Sequence, residues 1–354
     1  MIDWTASMQQ TYEFYSVDPA TWGDKTKLDQ VTQCVLSRND TDETLGSATI
    51  DTTELLDEMY VRIYLVCIQN GIEEKFVLGT YLVQTPNRDY NGKVDSISVD
   101  AYTPLLELKD DAPPLGYTVF RGSNILTTVS DLVSEHCRAP VVRVNQSLTL
   151  DSDMISDFSN DTWLSFLTDL LAKADYSFGL DEYGRILFQA NARKEALRPI
   201  WTYDDGNSSI LYPDISLSRD LYGVPNVVEV LFSTESGYKF SRIENNDENS
   251  PVSIPIRGRR VIYREENPEG LDNPSQEQID DYAANLLRQK SSLEYTISYT
   301  HGYCPVRVGD AVWINYERAG LKNIKAVVVS QEINCRPGCS VSETAVYTRK
   351  LWGG

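Results

Sequence analysis

Histidine is almost missing from this chain: of 354 residues only His136 and His301 are histidine. A Ser-His-Asp or Cys-His hydrolase needs one of them as its base, and neither stands in a pattern that supplies the partners. His136 ends a predicted helix beside Cys137, where an imidazolium suits the helix dipole and where neighbouring side chains diverge. His301, in Tyr299-Thr300-His301-Gly302-Tyr303, falls at a strand end before a turn. Positive charge is scarce as well, with 32 Lys and Arg against 52 Asp and Glu, a net charge of −20. Affinity for nucleic acid comes from Lys and Arg neutralising phosphates, so no specific nucleic-acid binding is expected. The surplus reads either as a solubility charge or as an acidic surface or channel past which polyanions slide without sticking. No apolar run reaches the length of a membrane-spanning helix, so no membrane insertion is expected. The start, Met1-Ile2-Asp3-Trp4-Thr5, has neither the basic nor the apolar region of a secretory signal, which predicts synthesis and folding in a cytoplasm.

Cysteine is present but not in a framework. Cys34, Cys67, Cys137, Cys304, Cys335 and Cys339 are too few for a disulfide-stapled fold of this length, and free thiols are expected. Cys335 and Cys339 flank Arg336-Pro337-Gly338, a hairpin-like turn that could hold half a zinc site. No second Cys/His pair has the matching spacing, even with Cys304 added. The carboxylate doublets Asp110-Asp111, Asp151/Asp153, Asp204-Asp205 and Asp280-Asp281 are candidate glycosidase acids. Among 52 acidic residues such doublets arise by chance, and Asp280-Asp281 sits in the first turns of a helix, where acids complement the dipole. Walker and G-x-G-x-x-G patterns are lacking. The sequence therefore predicts no catalytic residues, no cofactor and no metal.

What is present is β-pattern. Val31–Ser37, Ser47–Thr52, Tyr60–Gln69, Phe76–Gln84 and Lys93–Ala101 are rich in Val, Ile, Thr and Tyr. Asn70-Gly71 and Asn91-Gly92 are strong hairpin signals, because both turn positions favour positive φ. Five such strands predict a small antiparallel barrel or sandwich. The Pro-rich stretch 109–114 reads as a connection. A helix is predicted over Ser123–Cys137, capped by Ser123 or Asn124, and a second over Thr162–Ala174, with Trp163, Phe166, Leu167, Leu170 and Leu171 as its apolar stripe. Tyr176–Leu180 and Ile186–Gln189 read as a hairpin turned at Glu182-Tyr183-Gly184. The last third returns to strands at Val227–Ser233, Tyr238–Arg242, Arg260–Tyr263, Leu293–Thr300, Ala311–Tyr316, Ile324–Ile333 and Val341–Thr348. A helix capped by Ser275 and Gln278 interrupts them. Glu244–Pro255, acidic and poor in apolar residues, reads as a mobile loop. The expected class is mostly β: two small antiparallel β-barrel-like domains, 1–108 and 201–354, with an α+β insertion, 109–200, between them.

The strand map resembles a known family. Gly46-Ser47-Ala48-Thr49-Ile50, Tyr60-Val61-Arg62-Ile63-Tyr64, Leu78-Gly79-Thr80-Tyr81-Leu82-Val83 and Val99-Asp100-Ala101-Tyr102-Thr103-Pro104-Leu105-Leu106 follow one another as in the opening barrel of phage tail baseplate hub proteins, the late control protein D-like family. Pro305-Val306-Arg307-Val308-Gly309-Asp310-Ala311-Val312-Trp313-Ile314 looks like the Gly-Asp turn of that family's closing barrel. The resemblance covers about two-thirds of the chain. It implies a non-enzymatic homotrimer whose two barrels per chain form a ring of pseudo-sixfold symmetry. Its implied partners are a tail tube or distal tail protein, a central spike or tip protein and a tape measure protein, and its implied place is the virion tail, assembled in the host cytoplasm. Strands near Tyr60–Gln69 and Ala311–Tyr316 are the expected edges for subunit contact. Two other readings remain: a carbohydrate- or receptor-binding module at a tail tip, and a tail-associated peptidoglycan hydrolase.

Overall fold

A computed structural model describes residues 2–90, 95–157, 159–191, 196–219, 221–234, 237–268 and 274–350. The Asn91-Gly92 turn lies outside them. The chain divides into two compact units: a larger one of Met1–Asp214 with Tyr299–Thr344, and a smaller one of Ile215–Ser298 with Ala345–Gly354.

The larger unit is built on β1 (Gln9–Val17), β2 (Asp24–Lys27), β3 (Val31–Asn39), β4 (Gly46–Thr52), β5 (Tyr60–Gln69), β6 (Ile72–Tyr90) and β7 (Asp95–Tyr102). Their order in the sheet is β2-β1-β5-β6-β7-β4-β3. Alternation sets the register: in β4 residues Gly46, Ala48, Ile50 and Thr52 are buried while their neighbours are more exposed, so a one-residue slip would turn the whole apolar set outward. Gly46 sits at φ +143°, and a Cβ there would lie 2.2 Å from the Ser37 carbonyl oxygen, so only glycine fits this close approach to β3. Local pattern in the sequence predicts β3 to β7 but not β1 or β2.

The α+β segment follows. It comprises α1 (Leu106–Asp110), β8 (Thr118–Val119), α2 (Ile125–His136), β9 (Met154–Ile155), α3 (Trp163–Ala172) and the hairpin β10 (Tyr176–Leu180) and β11 (Ile186–Ala190). The start of the expected connection at 109–114 is thus the end of α1. The predicted apolar stripe of α3 is buried, together with Leu126, Val129 and Val133 of α2, in a core separate from that of the sheet. Asn124, not Ser123, caps α2: its side chain accepts from the Thr127 amide at 3.0 Å. Loss of that bond in Asn124→Ala should cost about 1 kcal/mol, read as a lower urea midpoint at unchanged slope. Thr162 and Ser165 form a capping box on α3.

After β12 (Pro199–Asp204) and β13 (Leu211–Arg219), both absent from the sequence reading, the chain builds β14 (Val227–Thr234), β15 (Gly237–Glu244), α4 (Ile254–Arg257), β16 (Ile262–Glu266) and α5 (Gln276–Lys290). In the smaller unit β15, β14 and β16 form one sheet, antiparallel at β15 and parallel at β16. Ile279, Ala283, Leu286 and Leu287 of α5 cover Val228 and Val230. Glu244–Pro255 is not a loose loop. Asn245, Ser250, Val252 and Ser253 are buried, Asn245 Nδ2 donates to Ser250 Oγ at 2.9 Å, and Asn226 Nδ2 donates to the Val252 carbonyl at 3.0 Å. The segment is polar in sequence yet ordered, because Asn245 and Ser250 find partners inside the fold.

The chain passes between the units along β17 (Ser292–Gly302) and, after β18 (Ala311–Asn315) and β19 (Ile324–Cys335), along β20 (Ser340–Lys350). β19 pairs antiparallel with β3, from Ser330↔Asn39 to Cys335↔Cys34, so strands from both ends of the sequence share one sheet. β18 pairs antiparallel with β19 and parallel with β12. The Gly-Asp turn before β18 is closed by Asp310, whose carboxylate accepts from the Arg307 amide at 2.8 Å, with Gly309 at φ +93°.

Candidate functional site

Two buried polar clusters stand out in the larger unit, and strand parity places both. Along β17, Leu293, Tyr295, Ile297, Tyr299 and His301 are all buried, so His301 is on the inward phase of a two-residue period. Along β20, Val341, Glu343 and Ala345 do the same. The two inward polar residues meet: His301 Nε2 lies 2.8 Å from Glu343 Oε2, and neither side chain has any solvent exposure. Tyr203 of β12 donates to the same carboxylate oxygen at 2.8 Å and has Cys304 Sγ 3.3 Å away. Gln331 of β19 donates through Nε2 to Glu343 Oε1 and to the Val306 carbonyl, each at 2.9 Å. Its Oε1 accepts from Arg38 of β3 at 3.2 Å. The chain of contacts thus runs from a strand of the opening segment to the last strand of the molecule.

The protonation state follows from the partners. His301 Nδ1 faces the Gly302 carbonyl at 2.7 Å and Nε2 faces Glu343. Both ring nitrogens therefore meet acceptors, and both carry protons. Burial pushes the imidazole down. The hydrogen bonds to Cys304 and Glu343 and the charge of Glu343 outweigh it and hold the pKa up at about 10. A doubly protonated, sealed imidazolium has no lone pair to offer as a general base, so this cluster works as a buried ion pair within the fold.

The second cluster surrounds Arg62 of β5, which is buried. Nε donates to Thr80 Oγ1 at 3.0 Å, and NH1 to Asp24 Oδ1 at 2.7 Å. NH2 reaches the carbonyls of Trp22 and Tyr183 at 3.1 and 3.3 Å. Trp22 Nε1 donates to the Tyr183 carbonyl at 2.7 Å. The β10–β11 turn is thereby held against β5 and β6. Gly184 in that turn, at φ +73°, would place a Cβ 2.9 Å from Thr80 Cβ, so the close approach requires glycine.

Among the other sequence candidates, His136 and Asp111 meet. His136 Nδ1 contacts Asp111 Oδ2 at 2.7 Å, and its ring stacks on Trp163 with centroids 4.3 Å apart. Cys137 is buried, its thiol directed at the Pro104 carbonyl. Asp153 accepts from the Arg121 amide, Asp204 from the Gly206 amide, and Asp280 from Gln276 within its own helix. Among the described residues no three His, Cys, Asp or Glu side chains are grouped to hold a metal, and no helix is long and apolar enough to cross a membrane. Tyr60–Gln69 and Ala311–Tyr316 are not sheet edges. β5 lies between β1 and β6, and β18 between β12 and β19. Among the described residues β2 pairs with β1 alone and β12 with β18 alone, so both are edge strands, as is β13 at the other end of the strand order. On β12 and its neighbour, Ile200 and Trp313 are exposed.

No protein-family model matches the chain, and no curated protein matches it significantly in sequence. Solved structures do. A tail protein from Neisseria meningitidis MC58 aligns with TM-score 0.62 at 11% identity, over 96% of this chain and 96% of its own. The 43 kDa tail protein of prophage MuSo2 from Shewanella oneidensis aligns with TM-score 0.62 at 12% identity, over 95% and 98%. A chain of the lidded Francisella PdpA–VgrG complex aligns with TM-score 0.54 at 8% identity, over 96% of this chain and 53% of its own. The architecture is a mostly β tail-protein fold. It is the fold shared with the Neisseria and MuSo2 tail proteins.

Proposed function

We propose that this chain is a structural, non-catalytic component of a phage or phage-like tail: a baseplate hub that forms a homotrimeric ring between the tail tube and the central spike or tip. The observation that carries the reading is the reach of the likeness. It runs end to end, over 96% of this chain and 96% of the Neisseria tail protein, so both share one chain path with little added to either. A tail tube or distal tail protein, a spike or tip protein and a tape measure protein are the partners, and the virion tail, assembled in the host cytoplasm, is the location. The division into 1–108, 109–200 and 201–354 belongs to the same proposal. In place of the strands first expected, the free edges β2 and β12 are the proposed subunit contacts, because unpaired edge strands join readily across chains. Three copies bring a charge of 3 × −20 = −60, and a channel lined by part of it would let DNA pass without trapping it. Electron microscopy of the purified protein tests the ring: threefold particles with a central opening are expected. Compact single chains that bind in a glycan screen would replace this reading with a receptor-binding one.

A further inference from the structure

The sheet core of the larger unit contains four thiols that no contact described above uses: Cys34, Cys67, Cys335 and Cys339. Two of them stand face to face. Cys34 on β3 and Cys335 on β19 are a directly opposed pair at the end of an antiparallel ladder. Opposed residues in such a ladder have Cα atoms about 4.5 or 5.5 Å apart, depending on the pair type. Both spacings fall inside the window of about 4.4–6.8 Å that a disulfide spans without backbone movement. Opposed side chains also share a face of the sheet, and here both are buried in the same core. Cys339, by contrast, follows the turn after β19 and lies before β20, and Cys67 lies on β5, where its own ladder partners are Gln10 and Glu74.

We propose that Cys34 and Cys335 are a latent cross-strand disulfide, reduced where the chain is made and closed by a disulfide oxidant. With oxidised glutathione the balance is simple. One cysteine sulfur, as thiolate, attacks a glutathione sulfur, and the first glutathione leaves. The second cysteine then attacks the protein sulfur of the mixed disulfide and releases the second. Two protein thiols and one glutathione disulfide become one protein disulfide and two glutathione thiols, which carry the two protons. Contact with Cys34, together with burial, holds the Cys335 thiol well above its usual range. Thiolate is therefore scarce and closure in the folded chain is slow. Once closed, the bond ties β3 to β19 and encloses residues 35–334, a loop long enough to restrict the unfolded chain strongly. The proposal does not rest on the hub reading. If the chain does lie in a virion, release into oxidising surroundings would supply the conditions.

The test uses the full chain in two arms, prolonged incubation of the folded protein with oxidised glutathione and refolding from urea in a glutathione redox buffer. Each is followed by blocking of free thiols, proteolysis and mass spectrometry. A peptide linking Cys34 to Cys335, four free cysteines remaining, and a thermal midpoint several degrees higher are expected. The Cys34→Ser variant should lose both the link and the shift. Six free thiols in the refolded, soluble protein would overturn the proposal, as would a link between Cys335 and Cys339. If refolding gives no soluble protein, the folded-state arm decides, run at increasing temperature up to the onset of unfolding, with six free thiols there again overturning it.

Discussion

Glu343→Ala should lower stability by about 3–5 kcal/mol, because removing one partner leaves a buried charge uncompensated. The carboxylate accepts from three donors at once, His301, Tyr203 and Gln331, and Gln331 in turn accepts from Arg38. The pH dependence carries the more specific signature. The folded imidazole binds its proton more tightly than the unfolded one, with a pKa near 10 against an ordinary 6.5. Its contribution is therefore complete below pH 6.5 and declines as pH rises toward about 10. Lysines, tyrosines and thiols titrate in the same window, so the informative quantity is a difference. Urea midpoints of the native chain minus those of Glu343→Gln should fall steadily from pH 6.5 upward. A difference flat across that window would mean that His301 is neutral in the fold.

Arg62→Ala should cost about 3 kcal/mol or more, since it removes the buried cation paired with Asp24 and the donor of the Trp22 carbonyl, leaving Asp24 with Tyr64 and the Tyr183 carbonyl with Trp22 Nε1. Arg62→Lys should recover little of this, because one ammonium cannot span acceptors arranged around a planar fork. The loss should be local as well as global. Amide exchange should accelerate at Asp24–Lys27 and in the turn between β10 and β11, whose residues Glu182 and Tyr183 contact Thr80 and Arg62 through their carbonyls. If both variants stay within about 1 kcal/mol of the native chain, the arginine is not what holds that turn to the sheet.

What could be read from the sequence followed local period and local caps. α2, α3 and α5 carry apolar stripes and capping residues, and β5 was found to the residue at Tyr60–Gln69. The elements missed are those whose state depends on distant partners. β1 is mixed in burial, every residue of β2 is exposed, and most of β13 is exposed with a proline inside it. Their strand character comes from ladders such as Gln9↔Ile68, which no short window contains. Edge identity has the same origin: β5 and β18 look like strands but not like central strands, because pairing order is non-local. The polar clusters were partly legible. Glu343 and His301 occupy the inward phase of apolar alternation, and Arg62 interrupts an apolar run. A charge in those positions predicts a buried partner, though not which residue supplies it.

The measurement that bears most directly on the hub account is the mass of the purified chain in solution by light scattering across a range of concentrations. The account predicts a stable species near three times 40.0 kDa. A single species at 40.0 kDa that persists at the highest concentrations would contradict it.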